Sequence, residues 1–240
     1  MISLEKVSCA YKEKSILENI SLQIESHISI LGENGAGKST FAKLLCHLQA
    51  YKGEIHIDGK NLEQFSLLDL AKTIAYVPAK LEIYDTSISV EEFVLLGRFA
   101  YKERFFAYSK EDRKKVQEVL ERLHLEHLSG VSMGTLSSGQ TQLVLIAQAL
   151  AQESKIIIFD EPTANLDPKN SKIIGMYIKQ LQEKYQIILI THDLHLARFI
   201  NAPVLFVQDK GIRLEEDFFK STKLSELYGV DFEDLAVVYA

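Results

Sequence analysis

The sequence predicts an α/β fold with a mostly parallel core sheet, and two observations lead to that prediction. First, continuous runs of β-branched and other apolar residues recur along the chain, as expected for parallel strands covered on both faces. Second, helical patterns separate these runs; Phe41, Leu44, Leu45 and Leu48, within a helix predicted over 38–48, follow the i, i+3, i+4, i+7 spacing. The predicted strands are 27–31, 73–77, 155–159, 186–190 and 203–207.

Two regions depart from this alternation of strands and helices. Residues 2–24 and 53–62 alternate apolar with polar side chains, which favours antiparallel strands at one edge of the fold. Residues 87–153 show little strand pattern and several helical ones, which indicates an inserted helical subdomain. We therefore expect a single domain over 1–240, made of core segments 1–86 and 154–221, the helical subdomain 87–153 and a C-terminal extension 222–240.

Composition limits the classes of function. With 27 Lys+Arg against 33 Asp+Glu, the net charge is −6, which argues against a nucleic-acid-binding protein because such proteins usually carry a basic surplus. Cys9 and Cys46 suit a reducing compartment better than a disulfide framework. No apolar run approaches the about 18 residues of a membrane span, and charges stand where a signal peptide would be apolar. We expect a cytoplasmic protein that can dock on a membrane protein.

The stretch GENGAGKS, residues 32–39, matches the phosphate-binding pattern G-x-x-x-x-G-K-[ST] at every fixed position. It follows a predicted strand and opens a predicted helix, so its backbone N–H groups can face a phosphate; a glycine-rich turn without a ligand is the alternative. We expect Lys38 to reach the β- and γ-phosphates, Ser39 to ligate Mg²⁺ and Thr40 to lie near the α-phosphate. The predicted ATP-binding residues of this loop are Gly32, Glu33, Asn34, Gly35, Ala36, Gly37, Lys38, Ser39 and Thr40.

Acidic and imidazole side chains follow two other predicted strands. Asp160 and Glu161 end one apolar run, and His192 comes after the run 186–190. Because open α/β sheets bind ligands at the carboxyl ends of their strands, these side chains are expected at the same edge. We expect Asp160 to hold Mg²⁺ through its water shell, Glu161 to accept a proton from an attacking water, and His192 to orient that water. The predicted catalytic residues are Lys38, Glu161 and His192.

With these elements in place, the sequence resembles the nucleotide-binding subunit of ABC transporters. The resemblance covers nearly the whole chain and rests on GENGAGKST, TLSSGQ, IIIFDEP, ANLD and ITHD, which occur in this order. It implies an ATPase with the P-loop NTPase fold of the ABC type, with ATP and Mg²⁺ as its ligands. It also implies that Tyr11, which otherwise suggests only edge-strand packing, stacks on adenine.

The resemblance also implies a role for TLSSGQ, which begins a second helix far along the chain from the glycine loop. In this family two copies face head to tail, and each ATP lies between the loop of one copy and the signature turn of the other. We therefore expect Ser137, Ser138, Gly139 and Gln140 to donate to the partner's γ-phosphate, and Asp167 to lie at the same junction. A plain helix N-cap at Ser137 or Ser138 is the alternative, and both roles are compatible.

Two stretches look like one branch of this family. Residues 87–105 and 223–233 are similar to segments of subunits that import ferric siderophores, haem or cobalamin. The implied function is an ATPase on the cytoplasmic face of the membrane that drives such import through separate permease subunits, with a substrate-binding protein acting indirectly and no nucleic-acid partner. Import of another small nutrient is the nearest rival, and a soluble ABC ATPase, such as an Fe–S assembly component, is a further one.

Three positions depart from the family pattern. Ser138 stands where many members have Gly, and Leu143 stands where Arg is common. The largest departure is Ala79, in AYVPAKLE, because the family usually has a Gln there that contacts Mg²⁺ and the attacking water. The side chains of Ala79 and of the cationic Lys80 cannot ligate Mg²⁺, so we expect the ion to keep an additional water and basal hydrolysis to be slow or altered.

The substitution Ala79→Gln tests this expectation. The added carboxamide is expected to supply the missing ligand, and so to change both the ATPase rate and its Mg²⁺ dependence in the assembled transporter. Steady-state hydrolysis across a Mg²⁺ titration is the measurement. If rate and Mg²⁺ dependence both match those of the parent chain, the departure at position 79 has no mechanistic consequence.

Overall fold

The structure, a computed structural model, describes residues 1–80, 85–102 and 107–232. Within these ranges the chain forms two β-sheets and eight α-helices. No helix of the described part combines the length and the apolar character that crossing a bilayer requires. Residues 103–105 and 233–240, which belong to the predicted segments 87–105, 223–233 and 222–240, lie outside the described residues.

A six-stranded sheet forms the core of the fold. Its strands are β3 (Ile28–Gly32), β6 (Ile74–Val77), β7 (Ile156–Asp160), β8 (Gln186–Ile190), β9 (Val204–Gln208) and β10 (Gly211–Glu215). The order is β10-β9-β3-β8-β7-β6, in which only β10 pairs antiparallel with its neighbour. All five predicted strands are present within one residue at each end, so the α/β prediction is confirmed. Every residue of β3 and β7 is buried, which explains their continuous apolar runs.

The first part of the chain forms the predicted antiparallel strands. They are β1 (Ile2–Tyr11), β2 (Lys14–Ile24), β4 (Lys52–Ile57) and β5 (Lys60–Asn61), in the order β2-β1-β4-β5. Buried side chains of β1, such as Leu4 and Val7, share one apolar core with Ile30 and Ile158 of the six-stranded sheet. The antiparallel sheet therefore covers one face of the core sheet, with a helix between them.

The N-cap residue before each α-helix is polar or glycine, and the helices occupy both faces of the core sheet. They are α1 (Lys38–Leu45), α2 (Leu67–Ala71), α3 (Val90–Leu95), α4 (Lys110–Arg122), α5 (Ser138–Ala151), α6 (Pro168–Leu181), α7 (Leu194–Ile200) and α8 (Ser221–Tyr228). Four 3₁₀ helices span Leu62–Gln64, Leu96–Tyr101, Glu126–Leu128 and Met133–Thr135 of the described chain.

Helix α1 ends earlier than the predicted bounds of 38–48. His47 adopts a left-handed backbone with φ of 54°, and Leu48 N–H bonds back to the Lys43 carbonyl at 2.8 Å. This is a Schellman arrangement, which satisfies the last helical carbonyls and stops the helix. Apolar spacing continued through Leu48 and did not reveal this stop.

The helical region lies between β6 and β7, and a buried arginine ties its parts together. Arg98 donates through Nε to Asp112 of α4 at 3.0 Å and through Nη1 to Glu153 at 2.7 Å. Gly97 lets the 3₁₀ helix Leu96–Tyr101 lie close to α5, because a Cβ at position 97 would be 2.3 Å from the Gln148 carbonyl oxygen of α5. The guanidinium is therefore paired on both sides, as a buried charge must be.

The chain after β10 packs on the β3–β9 part of the core sheet. Phe206 of β9 meets Tyr228 of α8 edge to face, with ring centroids 5.5 Å apart, and Phe218 at 5.8 Å. Leu224 and Leu227 of α8 are buried in the same cluster. Aromatic and leucine packing thus attaches α8 to the strand next to the glycine loop.

Candidate nucleotide-binding and catalytic site

The loop between β3 and α1 has the backbone that a phosphate cradle requires. Gly37 adopts φ of 109°, in the left-handed region that favours glycine. A Cβ at Gly32 would lie 2.4 Å from the Val207 carbonyl oxygen of the neighbouring strand, so only glycine fits there. Gly37 is also the N-cap of α1 and offers no side-chain cap, so an anion at this helix start can accept from the first N–H groups.

The Lys38 side chain, on the first residue of α1, folds back over the preceding loop. Its Nζ donates to the carbonyl oxygens of Gly32 and Glu33, at 2.8 and 2.9 Å. Burial lowers the pKa of Lys38, and the carboxylates of Glu161 and Asp160 oppose that shift. The ammonium group therefore lies inside the cradle, held by backbone oxygens that a phosphate group could replace as its partners.

The Asp160 carboxylate closes the site from the end of β7. It is 2% exposed, and its Oδ1 accepts a hydrogen bond from the Ser39 hydroxyl at 2.9 Å, while Oδ2 accepts from the Tyr76 hydroxyl at 2.8 Å. Burial raises the pKa of Asp160, and the hydrogen bonds from Tyr76 and Ser39 oppose this rise. A carboxylate and a hydroxyl this close offer the hard oxygen donors that Mg²⁺ prefers, so the residues present fit that ion.

Glu161 and His192 are brought together by the adjacent strands β7 and β8. The Glu161 Oε2 lies 2.8 Å from His192 Nδ1 and accepts from the His192 backbone N–H at 3.2 Å. Glu161 has a left-handed backbone with φ of 49°, and its N–H bonds to the Ile190 carbonyl at 2.8 Å. The turn after β7 thus directs the carboxylate toward the neighbouring strand end, where the carboxylate and the imidazole form one hydrogen-bonded pair.

Comparison with known proteins identifies the family. The family model described as ABC transporter matches residues 17–164, more than half of the chain. The chain belongs to the ABC transporter family. A Helicobacter pylori protein named "Probable iron chelatin transport ATP-binding protein" is 34% identical over 254 residues, covering 100% of this chain and 99% of that protein. The protein is accordingly an ABC ATPase, an enzyme of the ATP-binding cassette type.

Solved ABC structures share the fold. An ABC transporter assigned to the metal-chelate type, in an inward-facing conformation, gives a TM-score of 0.83 at 26% identity over 96% of this chain and 89% of that one. The dimeric structure of a bacterial ABC transporter cassette gives 0.77 at 31% identity, over 90% and 98%.

Other relatives carry names for different cargoes. A manganese transport ATP-binding protein of Halalkalibacterium halodurans is 34% identical over 80% of this chain and 76% of its own. A phosphonate import ATP-binding protein of Lactobacillus gasseri is 34% identical over 98% and 92%. Both relatives are named as ATP-binding proteins, but for different cargoes. Similarity to them therefore identifies the ATPase and not its cargo.

The signature turn of this ABC ATPase, residues 137–140, begins α5 with a capping box. The Ser137 Oγ accepts from the Gln140 N–H at 3.3 Å, and the Gln140 Oε1 accepts from the Ser137 N–H at 2.9 Å. Both side chains are therefore engaged in starting the helix, whereas Ser138 is exposed and does not cap it. Gly139 lies so close to α6 that an added Cβ would be 2.7 Å from the Asn170 side chain.

Asp167 lies at the start of α6, beside the signature turn. Its Oδ1 accepts from the N–H groups of Lys169 and Asn170, at 2.9 and 3.0 Å, so it is the N-cap of that helix. Asn170 also donates its side-chain amide to the Asp167 Oδ2. Within one chain, Asn170 therefore lies against both Asp167 and Gly139.

Tyr11 and Ala79 are the two remaining predicted positions. Tyr11 ends β1 with 65% of its surface exposed, so one ring face is available for stacking. Ala79 is exposed two residues beyond the end of β6, and its methyl group offers no hydrogen-bonding atom.

Sequence reasoning missed Tyr76 and Asn170. Tyr76 falls within the predicted strand 73–77 and reads there as an apolar strand residue. Asn170 reads as a polar position in the first turn of a helix. The parallel register of β6 with β7 indicates that Tyr76 lies near Asp160. That register cannot be deduced until the order of the strands in the sheet is known.

The capping box separates two roles within the signature turn. Ser137→Ala is expected to lower the free energy of unfolding by about 1 kcal/mol, because α5 loses its N-cap acceptor. Ser138→Ala, at an exposed neighbouring position without a cap hydrogen bond, is expected to leave it unchanged within about 0.5 kcal/mol. Urea denaturation of both variants without nucleotide is the measurement. Equal losses in the two variants would contradict the assignment of Ser137 as the cap.

Proposed function

We propose that this ABC ATPase couples ATP hydrolysis to the import of a small nutrient, of the metal-chelate class, through a separate membrane permease. The observation that carries the proposal is the grouping at one sheet edge of a phosphate cradle, a carboxylate–hydroxyl pair and a carboxylate–imidazole pair. The first comprises Lys38, the second Asp160 with Ser39, and the third Glu161 with His192. This grouping is what phosphoryl transfer to water needs.

The proposed mechanism uses the chain's own groups to bind phosphate and to move one proton. Lys38 and the N–H groups of the loop stabilise charge on the β- and γ-phosphates. Ser39 and Asp160 would hold Mg²⁺, which when bound neutralises phosphate charge. Glu161 accepts the proton of the attacking water, and His192 holds the Glu161 carboxylate in place through its hydrogen bond.

We further propose that the active form is a head-to-tail dimer of this chain. In this dimer the exposed Ser138 and the N-terminal end of α5 would contact an ATP held by a second copy, with Gly139, Gln140 and Asp167 at the same junction. Tyr11 would stack on adenine in the loop's own site. The similarity to a dimeric cassette structure supports this arrangement.

An exposed apolar patch is the proposed contact with the permease. Leu67 of α2 is 82% exposed, and Phe99 is 61% exposed on the 3₁₀ helix Leu96–Tyr101, which lies beside α2. Leu68 and Leu96, exposed on the same two elements, are included in this surface. Exposed large apolar side chains of this kind, next to each other, mark interaction sites on soluble domains. Binding to a permease would hold this chain at the cytoplasmic face of the membrane. A substrate-binding protein would then act on the chain only indirectly, through the permease.

The metal-chelate class is supported by two comparisons and has one close rival. The iron chelatin relative and the metal-chelate type structure support it. The manganese and phosphonate relatives favour instead an importer of another small nutrient. Transport assays with a ferric siderophore, haem and cobalamin in the assembled complex distinguish the two.

Glu161→Gln tests the catalytic base. The variant keeps the shape of the side chain but cannot take the proton, so we expect ATP hydrolysis to fall at least about a hundredfold while ATP binding persists. The variant with ATP should then elute as a dimer in size-exclusion chromatography. Glu183→Gln, at an exposed glutamate outside the site, is the matched control and should hydrolyse at the parental rate. A Glu161→Gln chain that stays monomeric with ATP and turns over normally would show that another group is the base.

Replacing the apolar patch tests the permease contact. Leu96→Ser combined with Phe99→Ser is expected to reduce co-purification with the co-expressed permease at least about tenfold and to leave ATP binding intact, because neither residue lies at the nucleotide site. Leu214→Ser, at an exposed leucine of β10 on the opposite sheet edge, is the control. Undiminished recovery of the permease with the double variant would refute the assigned surface.

A further inference from the structure

Both carboxylate oxygens of Asp160 accept a hydrogen bond from a hydroxyl group, and the two donors come from different elements. Ser39 on α1 donates to Oδ1 at 2.9 Å, and Tyr76 on β6 donates to Oδ2 at 2.8 Å. The carboxylate is buried, so water cannot readily replace either bond. Loss of one donor would leave an oxygen of a buried charged group unpaired, which is more costly than losing an exposed hydrogen bond.

The parallel pairing of β6 with β7 explains how Tyr76 reaches this carboxylate. Tyr76 is opposite Ile158 in the register, and Asp160 lies two residues further along β7, on the same face of the sheet. The Tyr76 ring packs against the apolar core to which Ile158 belongs. Since packing holds the ring, the hydroxyl at its end is held beside Asp160.

Tyr76 is the residue of β6 that contacts the site, through its hydrogen bond to Asp160. Pro78 and Ala79, which follow the strand, have no side-chain donor or acceptor. Among the described residues the Tyr76 hydroxyl hydrogen-bonds to the Asp160 carboxylate alone, and it donates no bond to the glycine loop. Its influence on the loop therefore passes through Asp160 and Ser39.

From this arrangement we propose that Tyr76 is a positioning residue, which holds the Asp160 carboxylate in the orientation needed for Mg²⁺-dependent nucleotide binding. By occupying Oδ2 it prevents rotation of the carboxylate and keeps Oδ1 beside the Ser39 hydroxyl. Tyr76 itself contacts neither nucleotide nor ion. The inference rests on the proposed nucleotide site, and it adds a residue outside the glycine loop and the strand-end carboxylates.

The test is Tyr76→Phe, which removes the hydroxyl and keeps the ring in the core. ADP binding to the full chain is measured by displacement of a fluorescent nucleotide, first in EDTA and then across a Mg²⁺ titration. We expect the Mg²⁺ midpoint to rise about tenfold, as for loss of one hydrogen bond to a charged group, and the affinity in EDTA to stay parental. Electron paramagnetic resonance of Mn²⁺ with ADP should show the same weakening.

Tyr51→Phe is the matched control, because the Tyr51 hydroxyl is buried and has no hydrogen-bond partner among the described residues. It should leave both the midpoint and the EDTA affinity unchanged. A parental Mg²⁺ midpoint in Tyr76→Phe overturns the inference. Equal loss of ADP affinity with and without Mg²⁺ also overturns it, since that result shows a purely structural role. A parent chain that binds no ADP would overturn the proposed nucleotide site itself.

Discussion

The hydrogen bond between Ser39 and Asp160 is the contact on which the rest of the site depends. It joins the helix that follows the glycine loop to the last residue of β7, across 121 positions of sequence. In the sheet β8 separates β3 from β7, so this bond reaches across an intervening strand. It can form only when three parallel strands end at one level, which the registers of β3 with β8 and of β7 with β8 provide. The same alignment places Glu161 beside His192.

Charge is concentrated in this site before any ligand arrives. Burial lowers the pKa of Lys38 despite the nearby carboxylates of Glu161 and Asp160. Burial likewise raises the pKa of Asp160 despite the hydrogen bonds that its carboxylate accepts from Tyr76 and Ser39. Loop carbonyls hold the Lys38 ammonium, and two hydroxyls hold the Asp160 carboxylate. A buried ammonium or carboxylate group without a counter-charge is unfavourable for stability. A bound nucleotide phosphate would supply the counter-charge for Lys38, and its Mg²⁺ would supply that for Asp160. Preorganisation of this kind reduces the reorganisation needed at the moment of reaction.

The signature turn shows the same preorganisation in a different form. Ser137 and Gln140 satisfy each other's backbone, so the start of α5 is already rigid in the single chain. Gly139 allows α5 to approach α6 at Asn170, which in turn holds Asp167. A second copy, as proposed, would meet a surface whose shape is set in advance, and the N–H groups of that surface would need little ordering to donate to a phosphate.

Features that depend on neighbouring residues along the chain were predictable from the sequence. The five parallel strands, the loop at residues 32–39 and the order of the elements follow from apolar runs, spacing and glycines, and all of them are present. The carboxyl-end rule predicted that Glu161 and His192 would share a sheet edge, and they lie in contact. The Schellman stop after Leu45 escaped prediction because apolar spacing does not report hydrogen bonds at a helix end. Three contacts are seen only in the folded chain: Tyr76 reaches Asp160, Asn170 meets Gly139, and Arg98 is buried between Asp112 and Glu153. Those contacts depend on strand register and helix approach, which packing sets between segments distant in sequence, so no local pattern of residues encodes them.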